Sequence, residues 1–495
     1  MDKRTMEDLK HMFLTFLNKA DKRKLQLLQY LENAVSLSET KEVLIDNLMM
    51  SEFLINKTVQ ELNTDFYEFG LEDEFGIVTD GTVIKLNASG LATSDTVLTY
   101  YLDQSLKFSM LRECFFEQLV SLYEFATNHF LSHTPVYKEF KLFKQILNDY
   151  DIEVTKEFRL AGEENEIREF ILLFFMKEYY LNQSLFPKEI EMKRKTFDML
   201  NDQEWMNPQQ SARMQIRKDQ YLGIIITRMC NGHFLQNVVE DGLIHAEHLR
   251  IVEELQAWLA KIVPQANAAT LEREAREILR FLIVEGWLVE NDRYINQNQY
   301  IAQLNEHFFS KLTDRFALSP ETLTLLTTEL TSIHYQLLSF SFSSRCEYQH
   351  LDVTYFLETY PEYVAFCRKY LEENRNRPIL WNNKEFLFFR YLILLISTIP
   401  VKEISVPLYV CVDFSYGRSY NQMIRNNIEK ILDLNIQFQN FPDEQTHLTL
   451  SNMAFYGAMG IDHILWLSPP RPVDWVNFTE KVIGIRREFL KEHFE

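Results

Sequence analysis

The sequence predicts a multidomain, mostly α-helical chain with two helix-turn-helix units first, two helical bundles in the middle and a small α/β domain last. Three observations lead there. Its 495 residues exceed what one hydrophobic core serves, at roughly 100–200 residues per domain. The composition is that of a packed helical chain, 46% hydrophobic, with 38 Phe and 23 Tyr against only 13 Gly and 13 Pro. Apolar residues recur at helical spacing up to Pro400, and beyond it short strand-like runs alternate with helical ones.

Charge and cysteine usage narrow the class. A formal net charge of -20 argues against a protein that coats nucleic acid over its whole surface, yet an acidic body can carry small basic readers. The five cysteines, Cys114, Cys230, Cys346, Cys367 and Cys411, are odd in number and follow no metal-ligand spacing, so neither a disulfide framework nor a zinc site is expected. A reducing cytoplasm is the expected compartment. The opening MDKRTMEDLKHM is charged and lacks the apolar core of a secretory signal. Phe386 to Ser397, the longest apolar run, is too short to span a bilayer and carries Arg390, so a buried helix is expected and no membrane partner. Walker, HExxH, GxSxG and Rossmann patterns are absent from the sequence, and no catalytic residue, metal or cofactor is expected.

The first two domains, 1–90 and 91–180, are predicted from a repeat. SEFLINKTVQELNTDFYEFGL, Ser51 to Leu71, aligns without a gap on SHTPVYKEFKLFKQILNDYDI, Ser132 to Ile152, at an offset of 81 residues. Ile55, Val59, Leu62 and Phe66 match Val136, Phe140, Phe143 and Leu147, an apolar stripe at helical spacing, and Ser51 and Ser132 are expected as N-caps. SETKEVLIDNLMM and LVSLYEFATNHF supply a short helix before each copy, and helix, tight turn, second helix is the helix-turn-helix plan. Two alternating runs around Asp80-Gly81 predict a hairpin wing after the first copy, and Ile152 to Gly162 a shorter one after the second, with Lys156 and Arg159 available for a phosphate backbone.

Beside the stripe of the second copy, Lys138, Lys141 and Lys144 share one arc; in the first copy that arc carries Lys57, Gln60 and Asn63. The bland alternative is the solvated face of an ordinary core helix. Two aligned polar arcs favour double-stranded DNA as the partner. The candidates are Ser51, Asn56, Lys57, Gln60 and Asn63 in the first unit and Ser132, His133, Thr134, Lys138, Lys141 and Lys144 in the second. Lysines would contact phosphates, while Ser132, His133 and Thr134 at the helix start are placed to touch bases.

The paired units followed by LAGEENEIREFILLFF, Leu160 to Phe175, resemble the Mga-like transcriptional regulators, in which a Gly-x-Glu-x-x-Ile-Arg type of segment follows the second DNA-binding unit. Here it reads Gly162, Glu163, Ile167 and Arg168, and Glu164 restores the usual spacing. The resemblance implies a transcriptional regulator that assembles as a homodimer or higher homo-oligomer, with two phosphotransferase-system regulation domains, placed at 181–300 and 301–399, and phosphocarrier proteins of that system as partners. Successive amphipathic helices between Asn182 and Pro400 agree with two bundles. The phosphoacceptor candidates are His233, His245 and His248 in the first bundle and His334 and His350 in the second; His334, in an apolar helix, also reads as a hydrogen-bonded core residue. Where other such domains carry an Asp-His pair near the end of an early helix, this chain carries Arg228 and Met229.

After Pro400 the expected order is strand at VPLYVCV, helix at SYNQMIRNNIEKIL, strand at LNIQFQNF, helix at QTHLTLSNMAFYGA, strand at DHILWLS and a terminal helix. This 400–495 segment resembles the IIB sugar-phosphotransferase domain, whose nucleophilic Cys follows the first strand. Here that position falls on Val412, with Cys411 one residue short and Asp413 beside it, so the domain reads as catalytically dead. Two alternatives to the DNA-binding regulator are an RNA-binding antiterminator, whose kind carries a small β-rich module at the N-terminus, and a phosphocarrier using Cys411.

Overall fold

A computed structural model of the chain describes residues 12–34, 36–178, 185–207, 210–236, 248–289, 298–316, 318–340, 354–431, 435–454, 460–466 and 469–493. The chain is mostly helical and divides into two compact units, Met1–Asn291 and Asp292–Glu495. Among the described residues no helix is long and apolar enough to cross a membrane.

The first unit begins with α1 (Met12–Phe16), α2 (Lys19–Asn33), β1 (Ser38–Thr40), α3 (Lys41–Leu48), α4 (Glu52–Glu68), β2 (Phe75–Thr79) and β3 (Val83–Ala88). Local chemistry sets the starts: the side chains of Asn18, Thr40 and Ser51 each accept a backbone N–H from the first turn of α2, α3 and α4. Ile55, Val59, Leu62 and Phe66 of α4 are all buried. The three strands are antiparallel in the order β1-β3-β2, and Phe75 of the wing stacks on Phe66 with ring centroids 5.1 Å apart. The hairpin turns at Gly81-Thr82, one residue later than expected, and the Asp80 carboxylate, just past β2, accepts the backbone N–H groups of Thr82 and Val83.

After α5 (Ser94–Asp103) the plan repeats as α6 (Leu106–Phe115), α7 (Leu122–Asn128), α8 (His133–Asn148), β4 (Glu153–Val154) and β5 (Leu160–Ala161). The duplication extends to the backbone. Left-handed residues recur at the same offset, Met49 (φ 52) with Phe130 (φ 55) in the turns and Gly70 (φ 67) with Asp151 (φ 57) after the second helices. Both second helices close alike, Leu71 N–H donating to the Phe66 carbonyl at 2.7 Å and Ile152 N–H to the Leu147 carbonyl at 3.1 Å. Each unit also carries a helix ahead of the expected pair, α2 and α6.

The first unit then continues through α9 (Glu164–Glu178), α10 (Lys188–Lys195), a short 3₁₀ segment (Thr196–Leu200), α11 (Ala212–Cys230), α12 (Leu249–Ile262) and α13 (Ala268–Val284). Inside it, Arg168 of α9 pairs with Glu164 at 2.9 Å and with Glu274 of α13 at 2.5 Å, while Arg228 of α11 pairs with Glu164 at 2.6 Å. All four side chains are buried.

The second unit contains α14 (Gln299–Arg315), α15 (Pro320–Ser339), α16 (Thr354–Thr359), α17 (Pro361–Glu373), α18 (Pro378–Trp381), α19 (Lys384–Thr398) and α20 (Val401–Ile404) around one apolar core. It ends with β6 (Leu408–Val412), α21 (Arg418–Ile431), β7 (Ile436–Gln439), β8 (Leu448–Ser451), β9 (His463–Leu465) and α22 (Pro472–His493). The four strands are parallel in the order β7-β6-β8-β9. The helix expected over QTHLTLSNMAFYGA is corrected: Leu448–Ser451 is a strand, paired on both edges and buried at every residue. Leu448 and Leu450 fill the core of this sheet. Arg486 of α22 and Glu362 of α17 form a buried pair at 2.7 Å.

Candidate nucleic-acid interface

The second helix-turn-helix unit presents its candidate residues to solvent. Ser132, His133, Thr134, Lys138, Lys141 and Lys144 of and before α8 are exposed, while Val136, Phe143 and Leu147 are buried behind them. Phe140, the fourth member of the stripe, is half-buried, with Phe158 of the wing loop over it at 5.5 Å between centroids. Ser132 is the N-cap, though its side chain makes no capping bond. The carboxylate of α8 itself, Glu139, is turned to the buried Lys107 of α6 at 3.1 Å and does not offset the lysine arc. Among the described residues no carboxylate pairs with Lys138, Lys141 or Lys144.

The first unit has the same frame and the opposite charge. Its second helix, α4, carries Glu52, Glu61, Asp65 and Glu68 against Lys57. Lys57 lies 3.6 Å from Glu61, which also binds Arg23, and Asp65 holds Lys24 at 2.5 Å and the Tyr101 hydroxyl at 2.5 Å. Ser51 and Gln60 are exposed and Asn56 is half-buried. Asn63 is exposed and also serves the fold: its amide donates to the Ile77 carbonyl at 2.8 Å and accepts the Ile77 N–H at 2.9 Å, so it clamps the wing. A lysine arc with its acid tucked away favours a phosphate backbone; an arc of one paired lysine among carboxylates does not.

The second wing is built from β4, β5 and a loop in which the Thr155 hydroxyl accepts the N–H groups of Glu157 and Arg159. Lys156 is exposed at its tip. Arg159, expected to be available for phosphate, instead pairs with Glu117 at 3.1 Å. Glu117 lies between α6 and α7, and it also meets Nε2 of His233, just past α11, at 2.5 Å. His233 and Arg159 line a cleft of about 470 Å³ with Gly162, Arg228 and Gln236. Glu117 thus joins the candidate interface to the helical part of the Met1–Asn291 unit, as does Arg228 of α11, which donates to the Leu160 carbonyl of β5 at 3.3 Å.

The other histidines fall elsewhere. His245 and His350 lie outside the described residues. His248, a phosphoacceptor candidate, is buried at the start of α12. His334 is a core residue of α15: Nδ1–H donates to Asn305 at 2.6 Å and Nε2 accepts from the Tyr391 hydroxyl at 2.7 Å, and burial pushes its pKa down to about 3. Neither nitrogen of His334 is open to a phosphoryl donor. Cys411 is buried too, and burial, aided by Asp413, pushes its thiol up to about 11, the reverse of what a nucleophile needs.

The family model described as the Mga helix-turn-helix domain matches residues 92–175, the stretch that runs from just before α5 into α9 and contains the lysine arc. No curated protein matches the chain.

Proposed function

We propose that the chain is a DNA-binding transcriptional regulator whose reading head is the second winged helix-turn-helix unit, and whose activity is linked to the sugar phosphotransferase system through His233. The observation that carries the first part is the open lysine arc of α8, with Glu139 withdrawn to Lys107. The match of residues 92–175 to the Mga helix-turn-helix domain supports it. A cytoplasmic homodimer or higher homo-oligomer would set two such heads on half-sites spaced by a helical turn, about 34–36 Å.

Replacing Lys138, Lys141 and Lys144 together with Ala tests the head. Each phosphate contact contributes a salt slope of about 0.9, so the variant should bind every duplex more weakly and lose up to about 3 from the slope of log K against log salt. Anisotropy titrations across salt concentrations read both quantities, and an unchanged slope removes the lysine arc from the reading.

The regulatory part rests on the His233–Glu117 contact. A phosphoryl group passed from the phosphohistidine of a phosphocarrier protein to Nε2, with the displaced ring proton released to solvent, would place a dianion against the Glu117 carboxylate and open the contact between the helical part and the DNA unit. Incubation of the full chain with the general phosphocarrier proteins and labelled phosphoenolpyruvate should give an acid-labile label that His233→Ala abolishes. Label carried on Cys411, or label that survives His233→Ala, would refute this assignment.

A further inference from the structure

We propose that Tyr137 reads thymine methyl groups in the major groove and is the residue by which the second unit selects sequence. This rests on the DNA-binding reading and deepens it, since lysines that meet phosphates carry affinity without sequence information. On α8, at about 100° per residue, Tyr137 falls inside the lysine arc, one turn after His133 and Thr134, one turn before Lys141 and two before Lys144.

The fold gives this ring no other task. Its side chain is 68% exposed, although Val136 beside it is fully buried. Among the described residues no hydrogen bond, ion pair or ring contact engages Tyr137. Asn56, its counterpart in the first unit at the same offset, is half-buried on the acidic helix, so the shared frame does not require an aromatic there.

Its surroundings also fit a groove. His133, one turn before it, stacks flat on Tyr123 of α7, with centroids 4.4 Å apart and planes 15° apart. That stack fixes the first turn of α8, and a helix-turn-helix presents that turn to the base edges. Thymine alone among the bases offers a methyl group in the major groove, and an exposed aromatic flanked by phosphate-binding lysines is the complement of that methyl. Duplex DNA is thus the occupant that both the charge of the arc and the aromatic ring within it suit.

The test uses the full-length chain and duplexes it enriches from a randomised pool, resynthesised with deoxyuridine in place of thymidine one position at a time. At one or two positions the lost methyl should weaken wild-type binding about fourfold, the worth of one buried methyl-sized group. Tyr137→Ala should bind the thymidine and deoxyuridine forms equally, with the salt slope and the unfolding midpoint of the wild type, because an exposed side chain off the phosphates is removed. A variant that keeps the wild-type sensitivity to the methyl, or a wild type indifferent to it at every position, overturns the proposal while leaving the lysine arc in place. A wild type that holds no duplex even at low salt overturns the DNA-binding reading itself.

Discussion

Arg168 shows how single residues are committed in this chain. Its guanidinium is fully buried; burial alone would lower its pKa, but the Glu274 and Glu164 carboxylates raise it above the ordinary arginine value. Glu274 closes the fork with both oxygens, at 2.5 and 3.1 Å, and one of them also accepts the Leu235 N–H at 2.9 Å. The Glu164–Arg168 half of this cluster was legible, since residues four apart face each other on a helix. Glu274 was not, because it comes from a segment 106 residues away. Arg228 stood out in the sequence as a departure from an Asp-His pair, and its physical role is to neutralise Glu164. Removing one partner of a buried pair leaves an uncompensated charge, so Glu274→Ala should destabilise the first unit by about 3–5 kcal/mol. Urea unfolding followed by helix signal measures this; a loss below about 1 kcal/mol would mean that water or a rearranged Glu164 replaces the carboxylate.

At the scale of elements, legibility followed periodicity. The α4 and α8 stripes were clean, with a Ser at the N-cap position ahead of each, and both helices lie where the pattern put them. The short α6 buries Lys107, Phe108, Met110, Leu111, Cys114 and Phe115 on one face, and the lysine in the middle of that face interrupts its apolar stripe in the sequence. Strand β8 was misread for a different reason: four residues buried on both faces show no alternation, and a short continuous apolar run cannot be told from a buried helix by period alone. The wing turn slipped by one residue, with Asp80, just past β2, accepting the Thr82 and Val83 N–H groups across it. Site residues followed a different rule. The lysine arc was visible because charge on an exposed face needs only the helix angle. The commitments of Asn63 to Ile77 and of Arg159 to Glu117 depend on how helix, wing and loop meet in space, and no local pattern encodes them.

At the scale of the whole molecule, acid should act on the two compact units at different pH. In the second unit, burial holds the His334 pKa down to about 3 and lowers that of His447 as well. Above the ordinary histidine value of about 6.5, folded and unfolded forms are both neutral and His334 adds no pH dependence. Below it the unfolded chain takes up a proton that the folded chain refuses, so stability falls with pH, by up to about 2 kcal/mol from His334 at pH 5. In the first unit, Glu164 is opposed by its own burial, but Arg168 and Arg228 prevail and hold its pKa below the usual carboxylate value. That contribution is complete above about pH 4.5 and is lost only as pH falls through the carboxylate range. Between pH 6.5 and 5, therefore, α15 and α19 should lose protection from hydrogen exchange before α9, α11 and α13 do. His334→Gln, which can still donate to Asn305 and accept from Tyr391, should blunt the loss in the second unit and leave the first unchanged. Parallel loss in both units, or a His334→Gln chain as acid-sensitive as the wild type, would assign the acid response to other groups.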